Sequence, residues 1–197
     1  MWRLSASWSW PLRRLLAAWV LLLTLGLSLW LVLAVLSSAE NEARVDAHRR
    51  AGSELVRLSV AAESLIHRDP SLLAEMLAHT MLDTTIERAF IVDPQRRVLL
   101  SSRGIDRGQL MQLAQPELFA LHPQTQSSDR LIEFEDPQTR RLVAARSLNW
   151  PADVGQLRGQ GRGAVFVVVD MGRLVDERRR EALADHLGQG LVLLLAC

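Results

Sequence analysis

The sequence predicts an α+β fold, in which an antiparallel five-stranded sheet with a long N-terminal helix is flanked by transmembrane helices. Three observations support this prediction. An uncharged apolar run lies near the start, a long stretch of good helix formers follows it, and two strand–turn–strand patterns precede one apolar strand. Consecutive hairpins pair their strands antiparallel, and we expect helices on one side of such a sheet, an α+β arrangement.

The first transmembrane helix is predicted for residues 15–36, which read LLAAWVLLLTLGLSLWLVLAVL without a charge. At about 1.5 Å per residue, this segment is long enough to cross the roughly 30 Å hydrocarbon core of a bilayer. Three arginines precede it, and all 22 acidic residues follow it. Because basic residues are retained on the cytoplasmic side, residues 1–14 are predicted to be cytoplasmic and residues 37–186 to be exported.

A cleaved signal peptide is the alternative for this segment. Ser37-Ser38-Ala39 offers the small residues that a signal peptidase requires. The apolar core of a secretory signal is usually about 7 to 15 residues long, so the longer run favours an uncleaved anchor. Either interpretation exports the domain that follows.

The final residues, 187–197, form a second apolar run, LGQGLVLLLAC, after a charged stretch. We interpret it as the start of a second transmembrane helix that is incomplete here, so that this chain is the front of a longer protein. A run this short also fits a final apolar helix or strand of the exported domain.

A long helix is predicted from about Ala39 to Arg68, because this stretch lacks Pro and is rich in Ala, Glu, Arg and Leu. Its apolar residues recur at spacings of three and four and form one stripe. The stripe is either the seam of a parallel dimer or a face that packs on its own domain. Its members are Ala51, Leu55, Leu58, Ala62 and Leu65.

The helix is predicted to end at Asp69-Pro70, where a short amphipathic helix begins and extends to about Leu82. Proline disfavours helix in the residue before it and suits the first turn of the next helix. The pattern then becomes that of a hairpin, with strands at residues 88–92 and 98–102 on either side of a turn that contains Asp and Pro.

The segment after this hairpin is predicted to be partly helical. Residues 106–113 and 116–121 resemble short helices or helical loops, and residues 122–128 are polar and expected to be exposed. A second hairpin follows, with strands at residues 130–135 and 141–146 around another Asp-Pro-Gln turn.

The last elements are a loop, a strand and a helix. Residues 149–162 are rich in Gly and Pro and are predicted to be a loop. Residues 163–169 form a nearly continuous apolar strand, which is typical of a central position in a sheet. Asp170 is expected to cap a helix through about His186, since its carboxylate can accept the free N–H groups of the first turn.

Two segments resemble extracytoplasmic PAS-like (Cache-type) sensor domains. The first is FIVDPQRRVLLSS at residues 90–102, which is similar to their D-x-x-G-x-V-L-x-S hairpin, with Arg96 or Arg97 where the family often has Gly. The second is GAVFVVVDMGRL at residues 163–174, which is similar to the last strand and exit helix of these domains.

The resemblance covers about residues 39–186 and implies a periplasmic sensor at the front of a receptor in the bacterial inner (cell) membrane. The output of such receptors is a diguanylate cyclase or phosphodiesterase, a histidine kinase, or a chemoreceptor module. This sequence contains no GGDEF or EAL string and no phosphoacceptor box, so the output rests on analogy. A homodimer is expected if the helical stripe is a seam.

Composition and motifs exclude several other function classes. Basic residues are not clustered in excess, as a nucleic-acid surface would require. Cys197 is the only cysteine, which excludes an internal disulfide and argues against thiol catalysis. The five histidines lack the spacing of a zinc motif, and GxSxG, P-loop and HExxH motifs do not occur. We therefore expect no metal, no cofactor and no catalytic site in this chain.

The PAS-like resemblance implies a small-molecule ligand, often a carboxylate, between the sheet and its helical insert. A buried carboxylate needs paired donors, and Arg supplies them as a bidentate fork. Four arginines on or beside predicted strands are candidate donors, although each also fits a solvated strand edge: Arg88, Arg103, Arg130 and Arg146.

Two functions from different classes remain. The first is an input module that senses a ligand outside the cell and moves its two membrane helices. The second is a membrane-tethered periplasmic interaction domain without a signalling output. A cytoplasmic catalytic domain beyond Cys197 would favour the sensor.

Overall fold

The computed structural model describes residues 9–128, 130–150 and 161–195. These residues group into two compact units. One contains the described residues up to Asn41 and from Arg179 onward, and the other is Glu42–Arg178. Most of the loop predicted for residues 149–162, and Cys197, lie outside the described residues.

The first unit is helical. Helix α1 comprises Ser9–Leu65 and helix α6 comprises Met171–Leu195, so each contributes residues to both units. The large apolar side chains of α1 between Leu15 and Leu33 are exposed. This part of α1 is long and apolar enough to cross a membrane and is not buried within the protein, and a signal sequence meets the same criterion. The final apolar run is helical as far as Leu195, and its role as a second span stays a prediction.

The second unit contains the predicted sheet. Its strands are β1 (Ile86–Val92), β2 (Val98–Ser101), β3 (Ile132–Asp136), β4 (Arg141–Asn149) and β5 (Arg162–Asp170). Their order is β2-β1-β5-β4-β3, and every neighbouring pair is antiparallel. The structure thus confirms the five-stranded antiparallel sheet and the central position of the apolar strand.

Helices cover both faces of this sheet. The second part of α1 and helix α2 (Pro70–Thr80) pack on one face. A helical insert covers the other face and consists of a 3₁₀ turn (Gly104–Asp106), α3 (Met111–Ala114), α4 (Pro116–Phe119) and α5 (His122–Ser127).

The prediction of helices on one side only is therefore wrong, because β5 is apolar on both of its faces. Val165, Val167 and Val169 pack toward α1, while Phe166 and Val168 pack toward the insert. The prediction that residues 122–128 are exposed holds for Pro123, Gln124 and Ser127 but is wrong for two others. Helix α5 covers most of this segment and buries the polar side chains of His122 and Thr125.

The apolar stripe of α1 packs on its own domain. Ala51, Leu55, Leu58 and Ala62 are fully buried in the core between α1 and the sheet, and Leu65 is half-buried at its margin. Of the two alternatives for the stripe, the structure therefore selects the face that packs on its own domain. A dimer would need a different surface.

Ionic contacts hold α1 to the edge strand β3. Arg44 lies 3.2 Å from Glu135, and His48 Nδ1 lies 2.7 Å from Glu133 Oε2. Within the same unit, Arg178 at the start of α6 pairs with Asp46 of α1. The hydrogen bond from Arg178 holds the pKa of Asp46 below its usual value.

The predicted cap at Asp170 is present, and Asp69 caps α2 in the same way. Asp69 Oδ1 accepts a hydrogen bond from the Leu72 N–H at 3.0 Å, with Pro70 in the first turn of α2. Asp170 Oδ1 accepts from the Arg173 N–H at 3.1 Å at the start of α6. Both carboxylates satisfy N–H groups that the first helical turn leaves free.

The first hairpin turn contains an arginine in a left-handed conformation. Arg96 has φ 65, a left-handed conformation that Gly adopts without steric cost. The Arg97 N–H donates to Asp93 Oδ1 at 2.8 Å and closes the turn. The guanidinium of Arg96 also lies 5.6 Å from the ring centroid of Phe119 in the insert, a contact that a glycine would not make.

Two glycines should respond to alanine in opposite ways. At Gly163 in β5, an added Cβ would lie 2.6 Å from the Val92 carbonyl oxygen, so Gly163→Ala should destabilise by about 1–3 kcal/mol. At Gly52 in α1, the nearest atom is a Leu131 methyl at 3.7 Å, and Gly52→Ala should stabilise by about 0.5–1 kcal/mol. Unfolding of the full chain in detergent measures both, and equal effects would contradict the assigned packing.

Candidate ligand-binding site

A cavity of ≈ 80 Å³ lies on the insert side of the sheet. It is lined by residues of β1, β3, β4 and β5, of the turn between β3 and β4, and of α4 and the residues just after it. The apolar lining consists of Leu118, Leu121, Phe134, Val143 and Val168. The polar lining consists of Glu87, Arg88, Glu117, Asp136, Thr139 and Arg141. The cavity therefore combines an apolar wall with a group of opposite charges.

A β-bulge in β1 brings two charged residues into this cavity. Ile86 pairs with Val169 and Arg88 with Val168, so that Glu87 is the extra residue between two paired positions. Ile86 and Ala89 both pack toward α1, whereas Glu87 and Arg88 both line the cavity. A bulge adds one residue to one strand and re-aims its neighbours, which explains how adjacent residues reach the same face.

Glu87 holds Arg141 in a bidentate ion pair. The Arg141 Nε lies 2.6 Å from Glu87 Oε2, and its Nη2 donates to Glu87 Oε1 at 2.8 Å. Glu87 Oε1 also lies 3.3 Å from Arg88 Nη2. One carboxylate thus faces two guanidinium groups, and planar fork pairing fixes the orientation of Arg141.

Arg88 is the most enclosed charge in the cavity, with a side chain that is 14% exposed. Its Nη1 donates to Gln115 Oε1 at 2.5 Å, and Gln115 Nε2 donates to Asp106 Oδ2 at 3.0 Å. Its Nε is buried and has no hydrogen-bond acceptor among the described residues. Because a buried donor without an acceptor is costly, Arg88 has unused capacity to bind an anion.

Glu117 of α4 completes the charged group from the insert side. Its Oε1 lies 3.4 Å from Arg88 Nη1 and 3.8 Å from Arg141 Nη1. These contacts are longer than those of Glu87, and the Glu117 side chain is 55% exposed. The insert is therefore connected to the two guanidinium groups by a loosely held carboxylate.

Asp136 lies at the rim of the cavity and is engaged by its own turn. Its carboxylate accepts hydrogen bonds from Thr139 Oγ1 at 2.7 Å and from the Gln138 N–H at 2.9 Å. The Thr139 hydrogen bond is the main cause of its lowered pKa. Asp136 consequently stays ionised and shapes the turn.

The structure separates the four candidate arginines. Arg88 lines the cavity, whereas Arg103 and Arg130 are exposed on loops. Arg146 is half-buried on β4. It follows Ala145, which packs under the insert, so strand alternation places Arg146 on the α1 face.

Sequence reasoning missed Glu87, Glu117 and Arg141. The sequence pattern could have placed Arg141 on the insert face of β4, since it alternates with Val143 and Ala145. Glu87 and Glu117 had none, because the bulge and the packing of α4 are not visible in the pattern.

His122 is a second buried polar group, on the insert side of the sheet. Neither of its ring nitrogens has a hydrogen-bond partner among the described residues. Burial lowers its pKa, the positive charge of Arg96 lowers it further, and the Asp93 carboxylate opposes this shift.

The residues that the structure describes contain no cluster of three metal-binding side chains.

Comparisons with known proteins give weak structural similarities. No family model matches this chain, and no curated protein matches it in sequence. The chain is similar to an extracellular ligand binding receptor from Desulfohalobium retbaense, with 12% identity and a TM-score of 0.45 over 74% of this chain and 26% of that one. It is also similar to the isoleucine-bound sensory domain of the Campylobacter jejuni chemoreceptor Tlp3, with 13% identity and a TM-score of 0.47 over 72% and 60% of the two chains.

A third similarity is to the periplasmic domain of Vibrio cholerae LuxQ, with 16% identity and a TM-score of 0.39 over 76% and 67% of the two chains. The chain spans less than two thirds of the first two proteins. Because all three TM-scores are below 0.5, the similarities carry no functional argument.

The buried His122 should make stability depend on pH. The unfolded chain takes up a proton at His122 below about pH 6.5, while the folded chain, with its lowered pKa, resists protonation. The free energy of unfolding should therefore fall as pH drops below that value toward the lower folded pKa. His122→Leu should reduce this dependence, and the exposed His79→Leu should retain it. Thermal unfolding between pH 5 and 8 measures the difference, and identical pH profiles for both variants would contradict this role.

Proposed function

We propose that this chain is the input module of a membrane receptor and that its PAS-like domain senses a small ligand outside the cytoplasm. The observation that carries the proposal is the cavity between the sheet and the helical insert. It contains two guanidinium groups, one of them largely enclosed, beside an apolar wall. Ligand sites in proteins are concave, mostly apolar and marked by a few convergent polar groups.

The proposed ligand is a small organic anion. Arg88 supplies an Nε without an acceptor among the described residues, and Arg141 lies beside it with Glu87 between them. Leu118, Phe134 and Val143 would contact an apolar ligand body. A cavity of ≈ 80 Å³ limits that body to a few heavy atoms unless the insert moves.

The exposed apolar part of α1 supports the membrane anchor in this proposal. We place the N-terminus in the cytoplasm, the PAS-like domain in the periplasm and the anchor in the bacterial inner membrane. A ligand can signal only if it binds one conformation more tightly than another. α1 and α6 are the elements proposed to transmit the difference, because each has residues in both units.

The output and the oligomeric state belong to the same proposal. The output would be a diguanylate cyclase or phosphodiesterase, or a histidine kinase, in the full-length protein. Reading the gene beyond Cys197 tests this assignment. We also propose that the receptor is a homodimer. Its seam cannot be the stripe of α1 that packs on the sheet.

A ligand screen tests the sensing function. We expect a small carboxylate to raise the unfolding temperature of the full chain in detergent. At a concentration 100-fold above the dissociation constant, it should add about 2.7 kcal/mol of stability. Arg88→Met should weaken binding about 10- to 100-fold because charge-assisted hydrogen bonds are lost, while the exposed Arg103→Met should bind as the wild type does. The absence of any stabilising ligand would favour the tethered interaction domain.

A further inference from the structure

Glu117 places a carboxylate of the chain itself beside the two arginines of the cavity. Its carboxylate approaches the two guanidinium groups from the insert side, 3.4 Å from Arg88 and 3.8 Å from Arg141. This is the position that the carboxylate of a ligand would take if it bound both arginines in the cavity. The free chain therefore already contains an anion of its own at the site.

The charges of Arg88, Arg141 and Glu87 can be balanced by one further carboxylate. Glu87 is bonded to both arginines, so the three side chains together carry one positive charge. Asp136, at the rim, accepts its hydrogen bonds from its own turn, and the charge of Arg141 is the smallest cause of its lowered pKa. Glu117 supplies the balancing charge in the free chain. A ligand with one carboxylate would replace it without leaving any charge unpaired, whereas a dicarboxylate or a cation would not.

Glu117 is held weakly enough to be displaced. Its contacts are longer than the 2.6 Å between Arg141 and Glu87, and more than half of its side chain is exposed. Released from the arginines, its carboxylate would be hydrated at the surface with little loss, since exposed ion pairs contribute little. Its release would also free α4, which is a single turn, from one of its attachments to the sheet.

We propose that Glu117 is an intramolecular competitor, and that a small monocarboxylate binds Arg88 and Arg141 by displacing the Glu117 carboxylate and loosening α4. This inference rests on the proposed function, since it requires a ligand in this cavity. It adds the class of the ligand, a monocarboxylate. It also identifies Glu117 as the residue through which ligand binding would loosen the insert. The ligand and Glu117 exclude one another at the Nη1 atoms of the two arginines, which Glu117 contacts. The Arg88 Nε would give the ligand one hydrogen bond that Glu117 does not make.

The test compares Glu117→Gln with a matched control, Glu75→Gln. Both variants remove one exposed glutamate charge, and Glu75 lies on α2, which packs on the other face of the sheet. The probes are propionate and its neutral analogue propionamide, titrated into the full chain in detergent at low salt. Glu117→Gln should bind propionate about two- to fivefold more tightly than the wild type, in line with a weak exposed ion pair. Glu75→Gln should not differ from the wild type.

Hydrogen exchange of the α4 amides provides the second readout. Propionate should accelerate exchange at residues 116–119 in the wild type, and Glu117→Gln should exchange faster there without a ligand. Propionate binding that depends on Arg88, with unchanged affinity in Glu117→Gln, would overturn the competitor and leave the sensor intact. Propionamide binding as tightly as propionate would overturn the ligand class. No binding of either probe to any variant would overturn the competitor together with the anion site.

Discussion

The burial of β5 on both faces is the constraint on which the rest of the domain depends. Every residue from Gly163 to Val169 is buried. Fully burying a valine side chain is worth about 1.5–3 kcal/mol relative to leaving it exposed. If solvent reached either side of this strand, several of these burial free energies would be lost. Both faces of the sheet must therefore be covered. Two different layers do this, α1 with α2 on one face and the helical insert on the other.

The α1 layer is built for close packing. The buried face of α1 begins with Ala43, Ala47 and Ala51 and continues with Leu55 and Leu58, which lets the helix lie against the sheet along its length. Ion pairs from α1 to β3 and α6 fix its position. The insert layer consists of helices of four to six residues. Such short helices are not stable alone, so the insert is held by its contacts with the sheet and is the layer that a ligand can most easily move.

Polar contacts between the insert and the sheet converge at the same place as the cavity. The bulge in β1 presents Glu87 and Arg88 together, Gln115 reaches Arg88 from the segment between α3 and α4, and Glu117 reaches it from α4. A half-buried cluster of this kind is costly unless its members satisfy one another. The stability of the cluster also depends strongly on each member. Replacing the Glu117 carboxylate with that of a ligand would therefore change how firmly the insert is held. In the proposed sensor, ligand binding and movement of the insert would therefore be linked through Arg88.

The sequence by itself determined the N-terminal apolar run, the order of helices and strands, both hairpins, the central strand and the cap at Asp170. These features follow from local periodicity, proline placement and side chains that bond to nearby backbone. Only the tertiary structure decided that two polar residues of α5 are buried and that the α1 stripe packs on its own sheet. It also decided that Arg88 lines one cavity with Glu87, Glu117 and Arg141, while Arg103, Arg130 and Arg146 lie elsewhere. The physical reason is that a one-residue bulge reverses which side chains share a face. Contacts between residues about 30 to 50 positions apart are then set by packing across the sheet, and local pattern does not encode them.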